Sequence, residues 1–121
     1  MSTEMEAGRE LDALVAEKVM GWTRDDRGAW VPPGCRPLRN GYYTERPGCY
    51  STDIAAAWRV VEAMRVAGWY TKVEDGHDGP PSENPRGWHC RVSRAYDWFE
   101  GWADTAPLAI CRAALAAVGA A

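Results

Sequence analysis

Apolar residues recur at helical spacing near the amino terminus, which predicts a first helix with one buried stripe. Charged residues fill its other face, so this helix is expected to lie on the surface. Ser2 or Thr3 is the expected N-cap, and Gly21 suits the left-handed position just past the end. The predicted stripe consists of Leu11, Leu14, Val15 and Val19.

Two further segments have the same spacing. Residues 51–53 offer capping oxygens to a second helix that Gly68 ends, and Asp104 or Thr105 caps a last helix that accepts Pro107 in its first turn. The side of the last helix opposite its stripe is nearly all alanine, and we expect it to pack closely against a second copy of the chain. The stripes are Ile54, Ala57, Trp58, Val61 and Met64 in the second helix, and Leu108, Cys111, Leu115 and Val118 in the last.

Alternation of large and polar side chains predicts strands between the second and last helices. Residues 22–24 and 29–31 are expected to pair earlier in the chain as a short hairpin. This order predicts an α+β fold, one domain over residues 1–121, in which a small antiparallel sheet of three to four strands is layered between helices. The predicted strands of the main sheet are 69–74, 88–93 and a weaker 95–100.

Prolines and glycines interrupt the chain at residues 32–49 and 75–87, which are therefore predicted to be irregular loops. Long irregular segments are uncommon in compact domains and often functional. Among the seven tryptophans, Trp58, Trp69 and Trp98 are expected to fill the core.

Charge and composition exclude several classes of protein. A net charge of −3 is unlike that of proteins that grip duplex DNA, which are strongly basic. No apolar run approaches the roughly 20 residues that a membrane-spanning helix needs. The acidic first residues lack the pattern of a secretory signal, so we expect a cytoplasmic protein.

The four cysteines indicate neither a metal site nor a cofactor. Their wide, unequal spacings lack the pair of close ligands typical of structural zinc. Cys90 and Cys111 lie where the pattern points inward and are interpreted as small buried apolar residues. Cys35 and Cys49 bracket a loop, and a disulfide between them stays open as an alternative.

No set of residues predicts catalysis. Asp25 and Asp26 are interpreted as solvated residues of a turn, and Ser51 as a helix cap. His77 lies in a proline-rich loop that is too irregular to hold a metal with its neighbouring aspartates. We therefore expect a protein that is not an enzyme.

Tryptophan and tyrosine outnumber phenylalanine twelve to one, and several of them stand near arginines in the sequence. Aromatic planes beside guanidinium groups suit a nucleobase and its phosphate. Two plainer interpretations stay open: arginine stems packing over edge aromatics, and an arginine bias that reflects a GC-rich genome. The candidate ligand-binding residues are Arg36, Arg39, Tyr42, Tyr43, Trp88, Arg91 and Arg94.

Three blocks of the sequence together resemble the phage ABA sandwich domain, a family of small bacteriophage and prophage proteins. They are GRELDALVAEKVMGW at 8–22, YSTDIAAAW at 50–58, and ADTAP at 103–107 running into AICRAAL at 109–115. The resemblance implies a sheet layered between helices and a viral origin. It provides no catalytic residues to carry over, and the two irregular segments lie outside the blocks.

The leading hypothesis is a non-enzymatic phage protein that sequesters a cyclic nucleotide or ADP-ribose-type immune signal of the host. Sequestration needs affinity without chemistry, which agrees with aromatic and arginine side chains and no catalytic set. Such a pocket favours a homo-oligomer, because ligand sites often form where subunits meet. The alternative is a protein-interaction module that inhibits a host factor or helps virion assembly, with the same aromatics as anchors.

Overall fold

The computed structural model describes residues 5–75 and 87–119. It contains three helices and two antiparallel sheets, so the predicted α+β class is confirmed. In chain order the elements are α1 (Arg9–Lys18), β1 (Thr23–Arg24), β2 (Trp30–Val31), α2 (Ile54–Val66), β3 (Tyr70–Asp75), β4 (Trp88–Arg94), β5 (Asp97–Ala103) and α3 (Ala106–Ala117).

The main sheet has the order β3-β4-β5, and β1 pairs with β2 in a separate hairpin. The third strand begins and ends a few residues later than the sequence predicts. Ala95 has a φ of 53°, so residues 95 and 96 form the tight turn between β4 and β5 instead of extended strand. The strand then continues to Ala103, two residues before Thr105, the N-cap of α3.

The inner face of the sheet forms the core together with the helices. Cys90, Val92 and Ala103 point to this side and belong to one buried cluster with residues of all three helices. α3 lies against β4 and β5, α2 packs on α3 and β3, and α1 packs on α3. The opposite face, here called the open sheet face, carries Tyr70, Lys72, Glu74, His89, Arg91, Ser93, Trp98, Glu100 and Trp102.

α3 packs against β5 through backbone contact at Gly101. A Cβ at this position would collide with the carbonyl oxygen of Ala109 and lie 2.6 Å from the amide nitrogen of Ala113. Small residues on α3 permit this approach, and both alanines are fully buried. The alanine side of α3 is therefore occupied by the sheet, so the predicted packing of this side against a second copy is wrong.

The predicted stripe of α2 is rotated in the structure. Ile54 and Trp58 are half exposed, whereas Ala56 and Val60 are buried in their place. The small side chains let α2 approach α3 closely, which leaves the larger residues at the edge of the contact. Trp98 is likewise exposed, on the open sheet face, and of the three tryptophans assigned to the core Trp69 alone is buried. In α3, Val118 is also exposed instead of buried, at the C-cap of the helix.

The ends of two helices are tied together by buried polar groups. α1 begins after Gly8, which is its N-cap residue, and the predicted caps Ser2 and Thr3 lie outside the described residues. The Gly8 amide donates to Oγ of Ser51 at 3.0 Å, and the Ser51 amide donates to Oδ1 of Asp12 at 2.8 Å. Asp53 caps α2, so Ser51 anchors α1 to the segment before α2.

All four cysteines are free, so no disulfide joins Cys35 and Cys49. Cys90 and Cys111 are buried, as the pattern predicts, and burial raises the pKa of both thiols, that of Cys90 to about 12. In the ranges 5–75 and 87–119, no helix is long and apolar enough to cross a bilayer.

Candidate functional site

The candidate residues of the 32–49 segment lie in an irregular, mostly exposed loop. The Tyr43 hydroxyl donates to the backbone carbonyl of Arg36 at 2.6 Å and holds this part of the loop in place. Tyr42 is exposed, and the Arg27 guanidinium lies 4.3 Å from the centre of its ring. Arg36 and Arg39 extend into solvent.

Arg27, which the sequence did not single out, organises this loop. Its guanidinium donates to the carbonyl oxygens of Leu38 and Gly41 and pairs with Asp25 at 3.0 Å. Asp25 is a half-buried turn acceptor instead of a solvated one, because its carboxylate also accepts from the amides of Arg27 and Ala29 at 2.9 Å. The bond from Ala29 contributes most to lowering the pKa of Asp25. The charge of Arg27 is thus already neutralised within the loop.

The three candidates on β4 do not share one surface. Arg91 lies on the open sheet face, whereas Trp88 and Arg94 belong to the inner face at opposite ends of the strand. The Arg94 guanidinium covers the Trp69 ring at 4.3 Å. Within the described chain, no hydrogen bond, ion pair or ring contact joins these residues to the loop. The predicted set therefore divides into separate groups.

The predicted arginines have one property in common. Arg36, Arg39, Arg91 and Arg94 form no ion pair with any described residue, although Glu100 is the register partner of Arg91. The Arg91 guanidinium instead lies 5.1 Å from the centre of the Trp98 ring on the same face. The Arg91 guanidinium packs on an aromatic ring instead of a carboxylate, so its charge remains available to an anion.

Strand pairing arranges the open sheet face in three rows. The first row is Tyr70, Ser93 and Trp98. The second is Lys72, Arg91 and Glu100. The third is Glu74, His89 and Trp102. Two exposed aromatic rings thus lie at one end, two cationic groups and Glu100 in the middle, and His89 with Glu74 and Trp102 at the other end.

His89 is the buried centre of the third row. Its ring stacks on Trp102 with 3.9 Å between centroids, Nδ1 lies 3.2 Å from Oε1 of Glu74, and Nε2 lies 3.5 Å from Oε1 of Glu100. Nε2 is buried without a hydrogen bond to the described residues. The bond to His89 is the main cause of a lowered pKa of Glu74, and Lys72 adds to it.

His89 is not among the candidates predicted from the sequence, although the alternation in β4 puts it on one face with Arg91 and Ser93. The signal that could have identified it is its pairing with Glu74, but this depends on the register between two strands. In the part of the chain that the structure describes, no three histidine, cysteine or acidic residues are arranged to hold a metal ion. The face therefore offers rings, hydrogen-bond donors and acceptors, which suit binding.

Known proteins with similar sequences and structures identify the family of this chain. No curated protein matches the chain. Among solved structures, a phage protein from Bacillus cereus ATCC 14579, determined at 2.0 Å, is similar with a TM-score of 0.66 and 28% identity, over 96% of this chain and 95% of that chain. The model of the phage ABA sandwich domain matches residues 13–115. The chain therefore belongs to the phage ABA sandwich domain family, as the three sequence blocks predict.

Proposed function

We propose that this phage protein binds and sequesters a nucleotide-type immune signal of the host without altering it, and that the open sheet face is the binding surface. The observation that carries the proposal is the pairing of Arg91 with Trp98. Trp98 is exposed, and the Arg91 guanidinium, which forms no ion pair with the described residues, lies over its ring on a strand-paired surface. An aromatic ring and a guanidinium suit a base and its phosphate.

The aromatic part of the surface is well exposed. Tyr70 and Trp98 flank Ser93 in the first row, with 79% and 56% of their surfaces accessible. Stacking of one base on such a ring contributes about 1–3 kcal/mol. Because rings on β3 and β5 are held in register by β4, the surface is preorganised, which limits the entropy lost on binding.

The second row supplies the positive charge. Lys72 and Arg91 are neighbours across β3 and β4, and the Lys72 Nζ lies 3.5 Å from a carboxylate oxygen of Glu74. Arginine can contact a phosphate through two parallel hydrogen bonds, so Arg91 is the expected anchor. The proposed site therefore lies on the sheet and does not include the loop residues Arg36 and Arg39.

We propose that the open sheet face binds its ligand without cleaving it. Ser93 and His89 share the face, but they are four positions apart along β4, a distance of roughly 13 Å. A nucleophile and its base must approach to hydrogen-bonding distance, so this pair does not form a catalytic dyad. The remaining groups on the face are those of a binding surface.

The test is a thermal-shift screen with cyclic dinucleotides, cyclic trinucleotides and cyclic ADP-ribose isomers. We expect one class to raise the Tm of the wild type, of Trp58→Ala and of Arg59→Ala, but not of Trp98→Ala or Arg91→Ala. The control variants remove an exposed tryptophan and an exposed arginine from α2. The ligand should be recovered intact after heating.

Three results would overturn the proposal. One is the absence of any shift across the panel. Another is an equal shift in the variants of Arg91 and Trp98, which would place the ligand elsewhere. Recovery of a cleaved ligand would make the protein an enzyme.

A further inference from the structure

Glu100 places a carboxylate in the middle of the open sheet face, between two aromatic rings. Trp98, Glu100 and Trp102 alternate along β5 and point to the same side of the sheet. Residues two positions apart in a strand are separated by roughly 7 Å, so each ring lies within reach of the Glu100 side chain. This side chain is 41% accessible, and a ligand stacked on a neighbouring ring can therefore contact it.

Glu100 lacks a cationic partner of its own. Arg91 is its register partner on β4, but the Arg91 guanidinium lies over the Trp98 ring instead. Lys72, the other cation of the second row, pairs with Glu74. Of the lysines and arginines in residues 5–75 and 87–119, none forms an ion pair with Glu100. Its negative charge therefore remains uncompensated beside an aromatic ring.

His89 does not satisfy the Glu100 carboxylate either. Its Nε2 lies 3.5 Å from Oε1 of Glu100 but forms no hydrogen bond with any described residue. Nδ1 is the ring nitrogen that contacts Glu74, and when it donates there the neutral ring has a lone pair and no proton on Nε2. A lone pair cannot donate to a carboxylate, so the oxygens of Glu100 are left to accept from solvent or from a ligand.

A carboxylate distinguishes between nucleobases by their hydrogen-bonding groups. Its two oxygens can accept two parallel hydrogen bonds. Guanine offers two adjacent donors on one edge, the ring N1–H and the 2-amino group. Adenine and cytosine each present an amino group beside a ring nitrogen that is an acceptor, and uracil presents one donor between two carbonyl oxygens. Glu100 therefore favours guanine.

We propose that the nucleotide bound on the open sheet face carries a guanine base and that Glu100 recognises this base. The base stacks on Trp98, its donor edge faces Glu100, and Arg91 contacts a phosphate. The inference rests on the proposed function, and it adds the base of the ligand and the residue that selects that base.

Isothermal titration calorimetry with cyclic di-GMP and cyclic di-AMP tests the inference, because these two ligands differ in their bases alone. The measured quantity is the ratio of the two Kd values, in which a general effect of protein charge cancels. We expect the wild type to bind cyclic di-GMP about tenfold more tightly or better, since a pair of hydrogen bonds to a base discriminates by at least that order. Glu100→Gln should abolish or reverse this preference, because an amide offers one acceptor and one donor and so matches adenine.

Glu62→Gln is the matched control. It removes the same charge from an exposed position on α2 and should keep the preference of the wild type. Equal affinity of the wild type for the two ligands, or a preference that persists in Glu100→Gln, would overturn the inference. Binding of cyclic ADP-ribose isomers alone would also overturn it but would leave the proposed function intact, whereas the absence of binding by any nucleotide would overturn both.

Discussion

The Ser51 amide donates a hydrogen bond of 2.8 Å to the carboxylate of Asp12, which lies 39 positions earlier in the chain. The Ser51 hydroxyl accepts from the Gly8 amide, so the first turn of α1 is closed by a residue that precedes α2. Ser51 is completely buried. This contact fixes α1 against the rest of the core. A cap from a residue next to the helix in sequence would not connect α1 to another element.

Ser51→Ala should therefore destabilise the fold. It leaves the Gly8 amide without its acceptor, and because this donor is partly buried we expect the lower end of the about 1–3 kcal/mol that an unpaired buried donor costs. Urea denaturation would measure the loss, with Thr52→Ala, an exposed neighbour, as the control. A loss of the same size in both variants would contradict the role assigned to Ser51.

Gly101→Ala should be more severe. The new methyl group would meet the backbone of α3 at Ala109 and Ala113, and backbone cannot move aside as a flexible side chain can. Overpacking of this kind costs about 1–3 kcal/mol, and we expect the upper end of that range. The free energy of unfolding is the measurement, with Ser93→Ala on the open sheet face as its control. An unchanged stability of Gly101→Ala would mean that β5 and α3 are not in contact.

The cysteines should divide into two classes of reactivity. Cys35 and Cys49 are exposed, whereas Cys90 and Cys111 are fully buried with raised thiol pKa values. The thiolate is the reactive form, so burial both blocks access and suppresses ionisation. Iodoacetamide at pH 8 followed by peptide mass analysis should find the first pair alkylated in the folded protein and the second pair only after denaturation. Early alkylation of Cys111 would contradict the buried position of α3.

Stability should depend on pH through Glu74. Its pKa in the folded protein is lower than the usual 4.5 because His89 donates to the carboxylate. The resulting stabilisation is complete above the ordinary pKa and is lost as the pH falls through the lowered one. The difference in Tm between the wild type and Glu74→Gln should therefore shrink as the pH is reduced from 6 to 3. A difference that stays constant over this range would show that Glu74 does not contribute through its charge.

The sequence was informative where a periodic pattern repeats over many residues. The helices, the two clear strands and the caps at Asp53 and Thr105 follow from local spacing, and so does the burial of Cys90 and Cys111. The family followed from three blocks in a fixed order. Local chemistry determines these features, so no long-range contact had to be known.

What the sequence could not give depends on tertiary contacts. Trp58 fits a helical stripe as well as Val60 does, and the rotation of α2 is decided by how closely it meets α3. The pairing of His89 with Glu74 requires the register of β3 against β4. Arg91 and Arg94 are close in sequence, but alternation along a strand puts them on opposite faces.

The most direct test of the central claim is a ¹H–¹⁵N titration of the protein with the nucleotide class that gives the thermal shift, with the Trp98 indole signal assigned through Trp98→Phe. We predict saturable shifts of that indole and of amides in β4 and β5, with the signals of residues 36–43 unchanged. Shifts confined to residues 36–43, or no saturable shift on the sheet, would contradict the assignment of the open sheet face as the binding surface.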